Sequence, residues 1–107
     1  MAMEIISIDD LHDKIQTIKK DELILDVRSA EEYSSGHIAG SKNSSHEEVV
    51  GIAKELKGYD KVYVHCKMGG RAKMASQALI NSGLENIICV GDGGMERWMQ
   101  MGWPIKK

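Results

Sequence analysis

The 107-residue chain has no massed block of basic residues and no apolar run approaching a membrane span. It also has no pair of histidines or cysteines at zinc-ligand spacing. The first absence, with a net charge of −2, argues against nucleic acid or an anionic membrane as the main partner. The second argues against a transmembrane segment. The third argues against a metal site, since His12, His37, His46 and His65 are scattered along the chain. The start, Met1 to Glu4 and onward, lacks the basic start, apolar stretch and cleavage site of a signal peptide, so a cytoplasmic location is the default expectation. Two cysteines, Cys66 and Cys89, in such a setting suggest reactive or buried thiols before a structural disulfide.

What is present fits one domain over residues 1–107, with 42% hydrophobic and 28% charged residues. Leu23–Val27, Lys61–Cys66 and Asn86–Val90 are short, mostly apolar and rich in β-branched residues, as expected of strands buried on both faces. Glu4–Ile8 reads as an edge strand, and His37-Ile38 as a candidate for a very short one. Helical spacing is carried by Leu11, Ile15 and Ile18, and by Val49, Val50, Ala53 and Leu56 after Ser45. It recurs over Arg71–Ser82, where Gly83 is a plausible stop, and over Met95–Met101, which Gly102 and Pro104 end. The alternation predicts an α/β fold with a mainly parallel central sheet of about five strands and helices on both faces. Ligands of such sheets collect beyond the C-terminal strand ends, where Asp26–Ser29, Cys66–Arg71 and Gly91–Gly94 leave the sheet.

The middle one of these loops, Cys66-Lys67-Met68-Gly69-Gly70-Arg71, is the most informative stretch. It lies between a buried strand and a helix, so backbone N–H groups and a helix N-terminus converge on a cysteine at its mouth. Gly69 and Gly70 permit the positive φ values that curl such a nest, and Lys67 and Arg71 add full positive charge. Each feature favours thiolate over thiol, and so a nucleophile over a merely buried cysteine. His65 directly precedes Cys66, but side chains alternate across a strand, which argues against a Cys–His dyad. His37 reads as a structural histidine, and Cys89 as a core residue rather than a resolving cysteine. Met95, Met99 and Met101 read as packing residues. Gly91–Gly94 lacks a dinucleotide fingerprint or P-loop lysine and reads as a tight turn beside the site.

The loop pattern C-x-x-G-x-R resembles the active loop of rhodanese-like sulfurtransferases. Asp26-Val27-Arg28, Glu31-Glu32-Tyr33, Gly36–Ser41, Gly93-Gly94, Trp98, Gly102 and Pro104 extend the likeness over nearly the whole chain, in the family's order. One departure is Ser44-Ser45 after Asn43, where many members carry an apolar residue and proline, a difference bearing on the shape of that connection. The resemblance implies a sulfurtransferase that moves sulfane sulfur, from a donor such as thiosulfate or a persulfide, to a thiol acceptor or sulfur-carrier protein. Cys66 would hold the sulfur as a persulfide, with no cofactor. Lys67, Met68, Gly69, Gly70 and Arg71 would bind the substrate. Arg28 is a further candidate, although a structural network with Asp26 is favoured. Met68 either lines the pocket or meets a partner. A monomer or weak dimer is expected. The rival readings are a cysteine phosphatase or arsenate reductase, whose loops are one residue longer between Cys and Arg, and a non-enzymatic interaction or sulfur-carrier module.

Overall fold

Every residue of Leu23–Asp26 and of Val62–His65 is buried, and a strand covered on both faces needs helices on each side. The computed structural model describes residues 3–107 and supplies them. Met1 and Ala2, the first residues considered for a signal peptide, lie outside the described residues. The elements run β1 (Glu4–Ser7), α1 (Ile8–Lys14, prolonged by a 3₁₀ turn, Ile15–Thr17), β2 (Glu22–Asp26), α2 (Ala30–Ser35) and β3 (Lys42–Asn43). A 3₁₀ turn (Val49–Ile52) then leads into α3 (Ala53–Leu56), followed by β4 (Lys61–His65), α4 (Gly70–Asn81), β5 (Ile87–Asp92) and α5 (Met95–Gln100). The five strands pair in parallel, in the order β1-β5-β4-β2-β3. Among the described residues no helix is long and apolar enough to cross a membrane.

Strand alternation splits the core into two layers. Leu23, Leu25, Val62, Val64 and Cys89 face Ala72, Ala75 and Leu79 of α4 and Leu56 of α3. Ile24, Tyr63, Ile88 and Val90 face Leu11 of α1 and Met95 and Trp98 of α5. Cys66 belongs to the first layer, directly under α4.

Three expectations need correction. The short fifth strand is Lys42–Asn43, whereas His37 makes only a single antiparallel bridge to Lys106. A helix, α2, forms where none was predicted. Its signal is the Ser29-x-x-Glu32 capping box, in which Ser29 Oγ accepts the Glu32 N–H and Glu32 accepts the Ser29 N–H. The segment after Ser45 is a turn and a 3₁₀ turn before it becomes α-helical, in keeping with the poor helix propensity of Val49-Val50-Gly51. The Ser44-Ser45 departure leaves the connection well tied, because the Ser44 and His46 N–H groups donate to the Asp26 and Val27 carbonyls.

Trp98 is the largest fully buried side chain, and its Nε1–H donates to the Pro104 carbonyl at 2.8 Å. Trp98→Ala should lower the unfolding free energy by about 3–5 kcal/mol. Urea denaturation would register this as a lower midpoint at similar slope.

Candidate functional site

The end of β4 delivers Cys66 into a ring closed by backbone contacts. Its Sγ accepts the Gly69 N–H at 3.1 Å and the Ala72 N–H at 3.3 Å. Ala72 lies in the first turn of α4, where N–H groups have no intrahelical acceptor, so the helix supplies one of its free donors to the sulfur. Two amide dipoles aimed at one sulfur favour negative charge there. Gly69 makes the turn possible with φ +117°, and a Cβ at that position would overlap the Gly91 carbonyl oxygen. Gly70, also expected to adopt positive φ, instead begins α4 with ordinary helical backbone.

The loop is clamped from the other side by α5. The Met95 and Glu96 N–H groups donate to the Cys66 and Lys67 carbonyls at 2.9 and 3.1 Å. The approach is so close that a Cβ on Gly94 would overlap both carbonyl oxygens. The Gly91–Gly94 turn thus serves as the backstop of the cysteine loop, as its place beside the site suggested. The clamp puts Cys66 at the floor of the ring, 1% exposed, and not at its mouth.

Beside the loop lies a cavity of about 340 Å³. It is lined by Arg28, Glu32 and Ser35 on one side, Lys67 of the loop, and Met95, Glu96 and Met99 of α5. Met99 was expected to be a packing residue; it is 40% exposed and forms part of this wall. Met68 is 65% exposed and is not among the residues that line this cavity.

Both arginines are engaged with carboxylates. Arg28 is 3% exposed, and its Nε and Nη2 donate to Asp26, with Nη2 also reaching the Gly36 carbonyl at 2.8 Å. Asn43 Nδ2 fastens the same corner by donating to the Asp26 and Arg28 carbonyls. This is the structural network favoured for Arg28, although the residue also borders the cavity. Arg71 points both Nη atoms at Glu32, at 2.6 and 3.0 Å. The Arg71 guanidinium beside Glu32 holds that carboxyl down to about 2. Glu32 had no assigned role in the sequence beyond its motif, and no local pattern marks a pairing with a residue far along the chain.

His65 is fully buried next to Asp26 on β2, on the opposite sheet face from Cys66, and neither ring nitrogen has a partner. Burial pushes its pKa down, which keeps it neutral. No dyad forms. Cys89 is fully buried, and burial is also the main cause of its raised pKa.

Residues 7–101 match the sequence profile of the rhodanese-like domain. The chain is 39% identical over 75 residues to a candidate sulfur carrier protein, YrkF, of Bacillus subtilis. That alignment covers 70% of this chain and 40% of the relative, so the chain spans less than half the length of the curated relative it matches. Among solved structures, a rhodanese-related protein from Thermoplasma volcanium superposes with a TM-score of 0.79 at 33% identity, over 96% of this chain and 97% of that one. A rhodanese-like domain protein from Staphylococcus aureus gives a TM-score of 0.75 at 29% identity, over 98% and 100%. A Rhodopseudomonas palustris protein of unknown function, put forward as a tyrosine phosphatase, gives 0.87 at 21% identity, over 97% and 85%, and shares the fold.

Two tests follow from this geometry. Gly94→Ala should displace the loop carbonyls and lower stability by roughly 1–3 kcal/mol, whereas Gly70→Ala, with nothing within 4 Å of its added Cβ, should be neutral or slightly stabilising. Thermal or urea melts compare them directly. The Glu32–Arg71 pair has a pH signature. A carboxylate whose folded pKa is depressed adds stability above its unfolded value and loses it as the pH falls through the folded one. The stability lost in Glu32→Gln should therefore be fully present above about 4.5 and fade as the pH drops toward 2. A deficit that stays constant over that window would mean the ion pair is not its source.

Proposed function

The chain belongs to the rhodanese-like domain family, and on that footing we propose that it is a sulfurtransferase carrying sulfane sulfur as a persulfide on Cys66. The Cys66 thiolate attacks the outer sulfur of a donor such as thiosulfate. A bond forms between Sγ and that sulfur, the donor S–S bond breaks, and its electron pair leaves on sulfite. A thiol or a sulfur-carrier protein then attacks the outer sulfur and returns Cys66 to the thiolate. This is covalent catalysis in two half-reactions.

The observation that carries the reading is the pair of amide donors, Gly69 and Ala72, on Cys66 Sγ. The first-turn N–H groups of Gly70 and Arg71 have no intrahelical acceptor and are candidate donors for a second sulfur. Stabilisation by fixed dipoles of this kind needs no reorganisation as charge moves along the S–S axis. The name of the B. subtilis relative supports sulfur carriage as the chemistry. The phosphatase or arsenate reductase reading is weaker, because Arg71 directs both Nη atoms to Glu32 and offers no fork to a tetrahedral oxyanion. The loop is also one residue shorter than in those enzymes.

Intact-mass measurement after exposure to excess sulfane donor should show the wild-type chain gaining one sulfur atom, with none gained by Cys66→Ala. Cys89→Ala should still load, since Cys89 lies inside β5 packed against α4, away from the loop whose amides converge on Cys66. Failure of the wild type to load, with turnover of a chromogenic phosphate ester instead, would reverse the assignment.

A further inference from the structure

The charged side chains around Cys66 cancel. Arg28 pairs with Asp26 at 2.7 Å, and Arg71 with Glu32 at 2.6 Å. The charged residues on the cavity wall are Arg28, Glu32, Lys67 and Glu96, two of each sign, with Asp26 and Arg71 paired to two of them from outside the wall. Three positive groups (Arg28, Lys67, Arg71) thus meet three negative ones (Asp26, Glu32, Glu96). Lys73, the next cation along α4, lies against Gly91 and is not on the cavity wall. The uncharged part of the wall is largely Met95 and Met99, with Met68 exposed on the loop beside it.

Such a site suits one kind of donor better than another. Moving a dianion out of water requires surplus positive charge to offset its lost hydration. Here the guanidinium nearest the loop presents a neutral ion pair. Glu32 is locked in that role, because its Oε1 also accepts the Ser29 N–H and hydroxyl. The Arg71 contact keeps it ionised down to about pH 2, so the neutralisation holds throughout the working range.

We propose that Glu32 is a specificity-determining residue that, by covering Arg71, turns the Cys66 site away from the thiosulfate dianion and toward an alkyl persulfide. This rests on Cys66 being the sulfur-carrying group. In the favoured reaction Cys66 Sγ attacks the outer sulfur of R–S–SH. The new Sγ–S bond forms, the bond between the donor's two sulfurs breaks, and its electron pair leaves on R–S⁻. The proton stays on the transferred sulfur until solvent removes it, and nothing is oxidised or reduced overall. The reacting end carries at most one charge, and its R group meets the methionine wall.

Glu32→Gln tests this cleanly, because glutamine keeps the capping box with Ser29 while removing the charge that covers Arg71. Single-turnover loading of Cys66 is followed by intact mass with thiosulfate and with 2-hydroxyethyl persulfide, at low and high salt. The wild type should load faster from the persulfide. Glu32→Gln should raise the second-order rate with thiosulfate on the order of tenfold at low salt, and less at high salt, as expected for one unit charge acting on a dianion across several ångströms. Its persulfide rate should change far less. Arg71→Gln leaves Glu32 uncovered and should slow thiosulfate loading by a similar factor, which gives a second test independent of how well Glu32→Gln folds. A wild type that prefers thiosulfate, or thiosulfate rates indifferent to both substitutions, overturns the inference while leaving Cys66 as the sulfur carrier. No loading from either donor overturns the sulfurtransferase reading and the inference with it.

Discussion

The site depends on a contact between two pieces of backbone. The N-terminal amides of α5 grip the Cys66 and Lys67 carbonyls, and Gly94 lets the two chains approach closer than any side chain would permit. With its carbonyls held outward by α5, the loop has its N–H groups left for the other side, where Gly69 and Ala72 meet the sulfur. The two faces of one peptide chain are thereby sorted, acceptors toward α5 and donors toward Cys66. The sheet provides the frame. Adjacent parallel strands β4 and β5 end side by side, so the loops that leave them meet without a long connection.

The parts of this arrangement that were legible in the sequence are those written in local patterns. β2, β4 and β5 announce themselves because a doubly covered parallel strand is a continuous apolar run. Cys66 and Gly69 announce themselves because a cysteine followed by glycines at a strand end has few other uses. α2 has no apolar stripe, since none of its residues is buried, and its only signal is the Ser29–Glu32 capping box. β3 is two residues, Lys42 and Asn43, recruited by hydrogen bonds to the end of β2 rather than by hydrophobicity. The depth of Cys66 was hidden for a similar reason. It follows from backbone-to-backbone contact with α5, and such contact leaves a trace in the sequence only as the bare glycine at 94.

The Glu32–Arg71 pair was the least legible feature of the site, and it changes the electrostatics most. A loop with Lys67 and Arg71 reads as a cationic anion trap when counted along the chain. In three dimensions α2 brings a carboxylate to within 2.6 Å of the second cation. A residue's charge says little about a site until its neighbours in space are known, and here the neighbour comes from a helix that hydrophobic periodicity does not reveal. Arg28 repeats the lesson at greater depth, because its partner Asp26 is fully buried and the pair serves to fix the turn leaving β2. Removing either member would strand a buried charge.

A sulfur carrier must hold negative sulfur well enough to form it and loosely enough to give it up. Full positive charges at the sulfur would deepen the bound state and slow the second half-reaction, since stabilising an intermediate beyond its flanking transition states raises the next barrier. Amide dipoles fixed by a clamped loop act differently. They favour the anion by a limited amount and do not move as charge shifts from Sγ to the outer sulfur. Pairing Arg28 and Arg71 with carboxylates removes the stronger, longer-ranged attraction and leaves the shorter-ranged one in control. In the proposed transfer, donor and acceptor would exchange sulfur across a site whose net field is small, and the choice among donors would fall to contact with the apolar wall formed by Met95 and Met99.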